Sequence, residues 1–486
     1  MSKHYFSLYK ILKNGILIIG DNMNKIKVVA TIGDNASEKV IQDLIYNGVD
    51  AIKMNMSDLS REYVRGIAEI IRGLNKKLDT GIGLMVEIGG PTIRIGKMEN
   101  GSAYFKTGDK IRLYREDIIG DETKASVSQP DFISGVKKND DINIGNVKLK
   151  VFDKGNDYII CEVIKGGDVV DYANVNIQSD GNEFLRIKDI KDIEFASSIK
   201  ADFIELPRIK TSDDVLQVTD MLISLRNDHT NVISRIDSLS AYEDIDDIVK
   251  VSDGILIDRN SLSMDVPMER IPGMQKIIIN KCLRAGKISI ASIDMPVNLS
   301  NIPTRIEVQD VANAVLDGID AISLSDVIDE ETTYIKAIRN MESILKEVEE
   351  SIDYITMAEN ASREEAMDVT GMIATNVATT AEKLKCKAII TPTITGYTAR
   401  KISRFRPSCP VIAASPNMET VTSLSLHFGV NPVLIDDLNS LDKIIKVSEN
   451  ITKGLIPLTK GDKIIITGGY PFKESKNTNF MKIEEI

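Results

Sequence analysis

Two short segments concentrate the side chains best suited to handling an anion or a metal. In Val232–Asp237, Arg235 and Asp237 close an apolar run. In Ile257–Leu262, Asp258 is followed by Arg259, Asn260 and Ser261. A guanidinium is a planar, permanently charged fork that suits phosphate and carboxylate alike, so Arg235 reads either as a phosphate ligand or as the partner of Asp237. Magnesium asks for near-octahedral oxygens at about 2.0–2.1 Å. Asp237 by itself offers one carboxylate, which makes a salt-bridged strand-end aspartate the favoured reading over a metal ligand. Ser261 also suits a helix N-cap. Asn55 and Ser57 bring neutral oxygens, either to a cation or to a capped turn after a strand. Far downstream, Thr393-Ile394-Thr395-Gly396-Tyr397-Thr398 combines hydroxyls with consecutive N–H groups, a pattern that suits phosphate. An ordinary strand–turn–helix connection is the stronger reading there.

The composition narrows what these residues can serve. Lys and Arg number 60 against 72 Asp and Glu, a net charge of −12, which offers no basic stripe for nucleic acid. The four cysteines, Cys161, Cys282, Cys386 and Cys409, are scattered, and with 3 histidines they form no zinc or disulfide framework. No apolar run reaches membrane-span length. The apolar stretch Ile16–Ile19 is short and has no small-residue cleavage site after it, so residues 1–23 read as a tail, and Met23 is a second candidate start. A reducing, cytoplasmic setting is expected.

The elements that must position the chemistry alternate. Ile26–Ile32, Gly48–Met54 and Ile82–Ile88 read as buried strands, with helical patterns at Ser37–Tyr46 and Glu62–Leu74. The rhythm stops near Gly96. To about Phe184 the chain is rich in turn pairs (Asn100-Gly101, Gly155-Asn156, Gly166-Gly167) between short alternating strands, the pattern of an all-β insertion. It resumes with strands at Phe203–Leu206, Asn231–Ile236, Gly254–Ile257, Ile288–Ser292 and Ala321–Leu324, making eight. Eight βα units predict an α/β fold: a TIM (β/α)8 barrel over 24–95 and 186–355, with an all-β lid domain at 96–185 inserted after the third strand. A C-terminal α/β domain is expected over 356–486.

Specific motifs lie along this frame. Ala30-Thr31-Ile32-Gly33 opens the barrel, followed by Lys53-Met54-Asn55-Met56-Ser57 and Gly90-Pro91-Thr92-Ile93-Arg94. Lys281-Cys282-Leu283-Arg284-Ala285-Gly286-Lys287 and the long run from Pro303 to Gly318 follow, then Arg406-Pro407 and Cys409–Ile412. On these motifs the chain resembles the pyruvate kinases over nearly its whole length after Lys25. The resemblance implies phosphoryl transfer from phosphoenolpyruvate to ADP, assisted by Mg2+ and K+. It places a catalytic lysine at Arg235, a metal-binding glutamate at Asp237 and a metal-binding aspartate at Ser261. Potassium ligands fall at Asn55, Ser57, Glu87 and Ile88, with a further serine near Pro207. A proton-relay threonine falls at Ile293. Lys53, Arg94, Arg259 and the N–H groups around Asn260 and Ser261 fall at substrate-binding positions. Thr393, Thr395, Gly396 and Thr398 fall on an effector-phosphate loop.

Most of these positions carry an altered side chain while the barrel motifs persist. The expectation is therefore a pyruvate-kinase-like protein with weak or no catalysis. It would serve as a partner or regulatory subunit in glycolysis, as a homo-oligomer (tetramers are usual in the family) or with an active homologue. The alternative is an active, divergent enzyme. Mg2+ and K+ are expected if the chain is active and no cofactor if it is not. A small anionic ligand is compatible with either reading; nucleic acid and membrane are not expected as partners.

Overall fold

The computed structural model describes residues 10–11, 17–18, 24–89, 93–128, 133, 136–173, 175–178, 185, 187–293, 303–328, 331–362, 368–435, 452, 454–469 and 478–486. Eight parallel strands close into a barrel: β1 (Lys27–Ile32), β2 (Ala51–Asn55), β3 (Gly83–Glu87), β4 (Phe203–Leu206), β5 (Asn231–Ile236), β6 (Gly254–Ile257), β7 (Ile288–Ile293) and β8 (Ala321–Ile328), with β8 returning to β1. Their near-continuous aliphatic sequences follow from burial on both faces, as a parallel sheet covered by helices requires. The helices carry their own start signals. Ser37, Ser60 and Ser238 each accept a hydrogen bond from the backbone N–H three residues on, and Thr304 forms a capping box with Glu307.

Residues 89–190 form a compact unit of their own. It holds a six-stranded sheet running from Val175–Gln178 at one edge to Lys124–Ser126 at the other, and a two-stranded ribbon, Ser102–Phe105 with Gly167–Val170. Phe105, Leu113, Ile142, Leu149 and Ile159 are among its buried core.

The C-terminal α/β domain is a five-stranded sheet. Val430–Leu434, Val411–Ser415, Ala388–Pro392 and Lys463–Gly468 run parallel in that order, and Phe480–Glu485 is antiparallel at the edge. The helix before it runs Val369–Leu384, starting where Asp368 accepts from the Gly371 N–H at 2.6 Å. This domain seats on the amino-terminal end of the barrel. Leu426 joins Val29, Met85, Phe203, Ile233 and Leu256 in one buried cluster. Arg406, 1 % exposed, pairs with Asp320 at 2.7 Å and donates to the Gly318 carbonyl. The amino-terminal end of the barrel is thus plugged, and in barrels of this kind ligand sites gather at the carboxyl ends of the strands.

Candidate functional site

Five strands bring charge to that end. Lys53 lies on β2, Glu87 ends β3, Glu205 lies on β4, Arg235 lies on β5 with Asp237 just beyond it, and Asp258 follows β6. The parallel register of β3 and β4 sets Glu87 directly beside Glu205. Two adjacent buried carboxylates repel unless cations lie between them, and two cations do. Lys53 Nζ is 2.9 Å from Glu87 Oε2 and 2.8 Å from Glu205 Oε2. Arg235 Nη1 is 2.7 Å from Glu87 Oε1 and 3.3 Å from Glu205 Oε1. The four side chains form a closed ring of alternating charge. Arg235 also extends Nε to Asp237 Oδ2 at 3.2 Å, with Asp258 Oδ2 at 4.0 Å.

Burial and pairing set the proton affinities. Burial alone raises Glu87, yet Lys53 and Arg235 outweigh it and bring its carboxyl down to about 2. Glu205, with no exposed side-chain surface, is held above the usual carboxylate range by burial and by Glu87, against the pull of Lys53 and Arg235. Burial depresses Lys53, but Glu205 and Glu87 more than offset it, so the ammonium is held above its usual range. Burial raises Asp237 despite Arg235 and the Arg208 N–H, which donates to its Oδ2 at 2.9 Å. Arg208 follows β4 in the left-handed region, with φ 62°.

The second segment opens a helix, Arg259–Asp265, but Ser261 is not its N-cap. Asp258 is: its carboxylate accepts from the Ser261 N–H at 3.1 Å and the Ser261 hydroxyl at 2.7 Å. The reason is spacing. The helix begins two residues before Ser261, and an aspartate at that point caps as well as a serine. The chain thus lays one of its own carboxylates where a helix N-terminus would attract an external anion. Arg259 is tied elsewhere. It forks onto both carboxylate oxygens of Asp310 and reaches the Ser292 carbonyl at 3.1 Å.

The other expected positions are more dispersed. Asn55 Oδ1 accepts from the Ser57 N–H at 2.8 Å, a local turn after β2. Ile88 and Ile293 are buried aliphatic side chains, and Pro207 is buried where β4 ends. Arg94 belongs to the 89–190 unit, where its N–H donates to Ser128 Oγ at 2.9 Å. Gly90, Pro91 and Thr92 lie outside the described residues, as do residues 1–9, 12–16 and 19–23 of the expected tail. In the C-terminal domain, Thr393 Oγ1 accepts from the Gly396 N–H at 2.9 Å, Gly396 takes φ 75°, and Thr398 shares a buried hydrogen bond with Thr478 at 2.7 Å. Thr395 contributes its carbonyl to Arg400 Nη1 at 3.0 Å.

Residues 23–334 match the pyruvate kinase barrel domain and residues 371–484 the pyruvate kinase alpha/beta domain. The chain belongs to the pyruvate kinase family. A pyruvate kinase of Clostridium perfringens is 33 % identical over 477 residues, covering 96 % of this chain and 100 % of the relative. One from Clostridium acetobutylicum is 30 % identical with the same coverage, and one from Sporosarcina psychrophila is 32 % identical over 96 % of this chain and 81 % of its own length.

Against that family the site is rewired. The family's Mg2+ would need carboxylate oxygens free to ligate. Here both Glu87 oxygens meet cations, Asp237 Oδ2 receives two N–H donors, and the Ser261 hydroxyl is turned to Asp258. Among the described residues no group of three or more His, Cys, Asp or Glu side chains is arranged to hold a metal. The K+ set fares no better: Asn55 Oδ1 is held by its own turn, Glu87 is neutralised twice over, and Ile88 has no side-chain oxygen. This donor set does not fit either cation, because the Arg235 guanidinium and the Lys53 ammonium already supply the positive charge.

Sequence reasoning gave no role to two members of the network. Glu205 breaks the apolar run Phe203-Ile204-Glu205-Leu206, and a carboxylate inside a strand buried on both faces demands a cationic partner. Asp258 ends the run Gly254–Ile257 directly before Arg259. Both signals were present in the chain.

Proposed function

We propose that this chain is a pyruvate kinase homologue with weak or no phosphoryl transfer, acting as a partner or regulatory subunit of an oligomer. The observation that carries the reading is the closed ring Lys53–Glu87–Arg235–Glu205. Phosphoryl transfer relies on cations arranged around the moving phosphate. In this chain two cations and two carboxylates satisfy one another, and opening the ring to a substrate would strand buried charge, at a cost of several kcal/mol. Asp258 on the helix N-terminus acts in the same direction, since an incoming carboxylate must displace it. The partner role draws on helices that keep large apolar side chains at the surface: Ile306 is 79 % exposed and Met268 73 %.

A second reading, an active divergent enzyme, is favoured by one observation: two cations, Lys53 and Arg235, remain at the barrel centre, where a phosphoryl group could meet them. A coupled assay with phosphoenolpyruvate, ADP, Mg2+ and K+ separates the two. The expected turnover is at least a hundredfold below the roughly 1–100 per second of ordinary kinases. A rate inside that range sinks the first reading.

A further inference from the structure

A cleft lies at the seam between the amino-terminal end of the barrel and the C-terminal domain, far in the fold from the carboxyl ends of the strands. Its empty volume is about 220 Å³, part of it open to solvent. Lys287, Arg400, Arg404, Arg406 and His427 line it, with Asp320 as its one carboxylate. That carboxylate is committed. Asp320 Oδ1 takes Arg406 Nη1 at 2.7 Å, and Oδ2 takes both the N–H and the hydroxyl of Ser289. The lining therefore carries a surplus of positive charge that its own acid does not balance.

Arg406 Nε and His427 Nδ1 are buried polar atoms of this lining that meet no hydrogen-bond partner among the described residues. Arg406 is 1 % exposed and His427 5 %. An arginine Nε–H can only donate, and a buried donor without an acceptor costs about 1–3 kcal/mol. Such an atom points to something that accepts. Burial and the nearby Arg400 press the His427 imidazole down to about 3, so the ring is neutral at physiological pH. Burial also lowers Arg400 below the usual guanidinium range, with Asp253 only partly opposing it, as expected where positive charge lacks a close counterion.

We propose that this cleft binds a small oxyanion of the phosphate class, held by Arg400, Arg406 Nε and Lys287 beside His427. The anion would neutralise the surplus charge, satisfy the buried Arg406 donor and tie the two domains together across their seam. Arg400 also holds the Thr395 carbonyl at 3.0 Å, so occupancy of the cleft would stiffen the 393–398 loop.

Isothermal titration of the full chain with inorganic phosphate tests this, with ionic strength held constant by a bulky organic anion. Saturable binding is expected. It should weaken about tenfold or more in Arg400→Gln and in Lys287→Gln, each checked for native circular dichroism, since each loses a charge-assisted contact. Thr395→Val, which changes only the side chain of the loop, should bind as the unmodified chain does. Absence of saturable binding, unchanged affinity in both charge variants, or loss of binding in Thr395→Val would each overturn the assignment.

Discussion

The two ends of the barrel solve the same packing problem in opposite ways. At the amino-terminal end, aliphatic side chains fill the middle, Leu426 of the C-terminal domain is driven into them, and the charges stand around the rim. At the carboxyl end the middle itself is ionic, with Lys53, Glu87, Glu205 and Arg235 in contact. An apolar plug tolerates small misfits, because dispersion and the hydrophobic effect have no direction. An ionic plug does not. Each member is stable only while its partners stay.

The sharpest way to break this comparison is at Glu205. Glu205→Leu leaves Lys53 and Arg235 each short of a buried partner, and urea unfolding followed by circular dichroism should register a loss of about 3–5 kcal/mol. Adding Lys53→Met removes the opposite charge as well and should restore most of that loss. If the single variant unfolds at the original midpoint, the ring does not hold the carboxyl end.

The rim of the amino-terminal end has its own pH signature. Glu342 accepts from Asn24 Nδ2 at 2.6 Å, and burial, then Asp50 and Glu349, push its carboxyl up from 4.5 to about 8. The unfolded chain loses this proton near the ordinary carboxylate value, whereas the folded chain keeps it until about pH 8. Stability should therefore fall as pH rises through that window, by at most about 1.4 kcal/mol per pH unit, and level off above it. Glu342→Gln should flatten that decline in melting temperature measured against pH; an unchanged profile refutes the assignment.

The smallest effect is expected at the helix after β6. Asp258→Ala removes the cap and should cost about 1 kcal/mol. It should also free the helix N-terminus, so that oxalate, a small dicarboxylate, binds more tightly by calorimetry than to the unmodified chain. Equal oxalate affinity would mean that Asp258 does not compete for that place.

The frame was legible because parallel strands announce themselves. Asn231–Ile236 and Gly254–Ile257 fall on the residues their apolar runs marked, and the helix Arg61–Leu78 extends the expected Glu62–Leu74 by one residue before and four after. The site was legible in part. Arg235 and Asp237 stand two apart on one strand end, and their pairing was one of two readings open from the chain; the structure contains that pair. Ser261 is of a type that suits a cap, but helix start and residue type are separate facts, and Asp258 holds the position.

By itself the sequence determined the barrel, the inserted β unit and the terminal domain. Those follow from local periodicity and residue type, which the chain carries without reference to distant neighbours. Only the tertiary structure decided which charges meet. Glu87 and Glu205 are 118 residues apart in the chain and are neighbours through the register of β3 and β4. Arg406 and Asp320 meet across the seam of two domains. A charge in a sequence has a type but no counterion; closing the barrel chooses the counterion, and with it whether the charge is left to act on a ligand or is spent inside the protein.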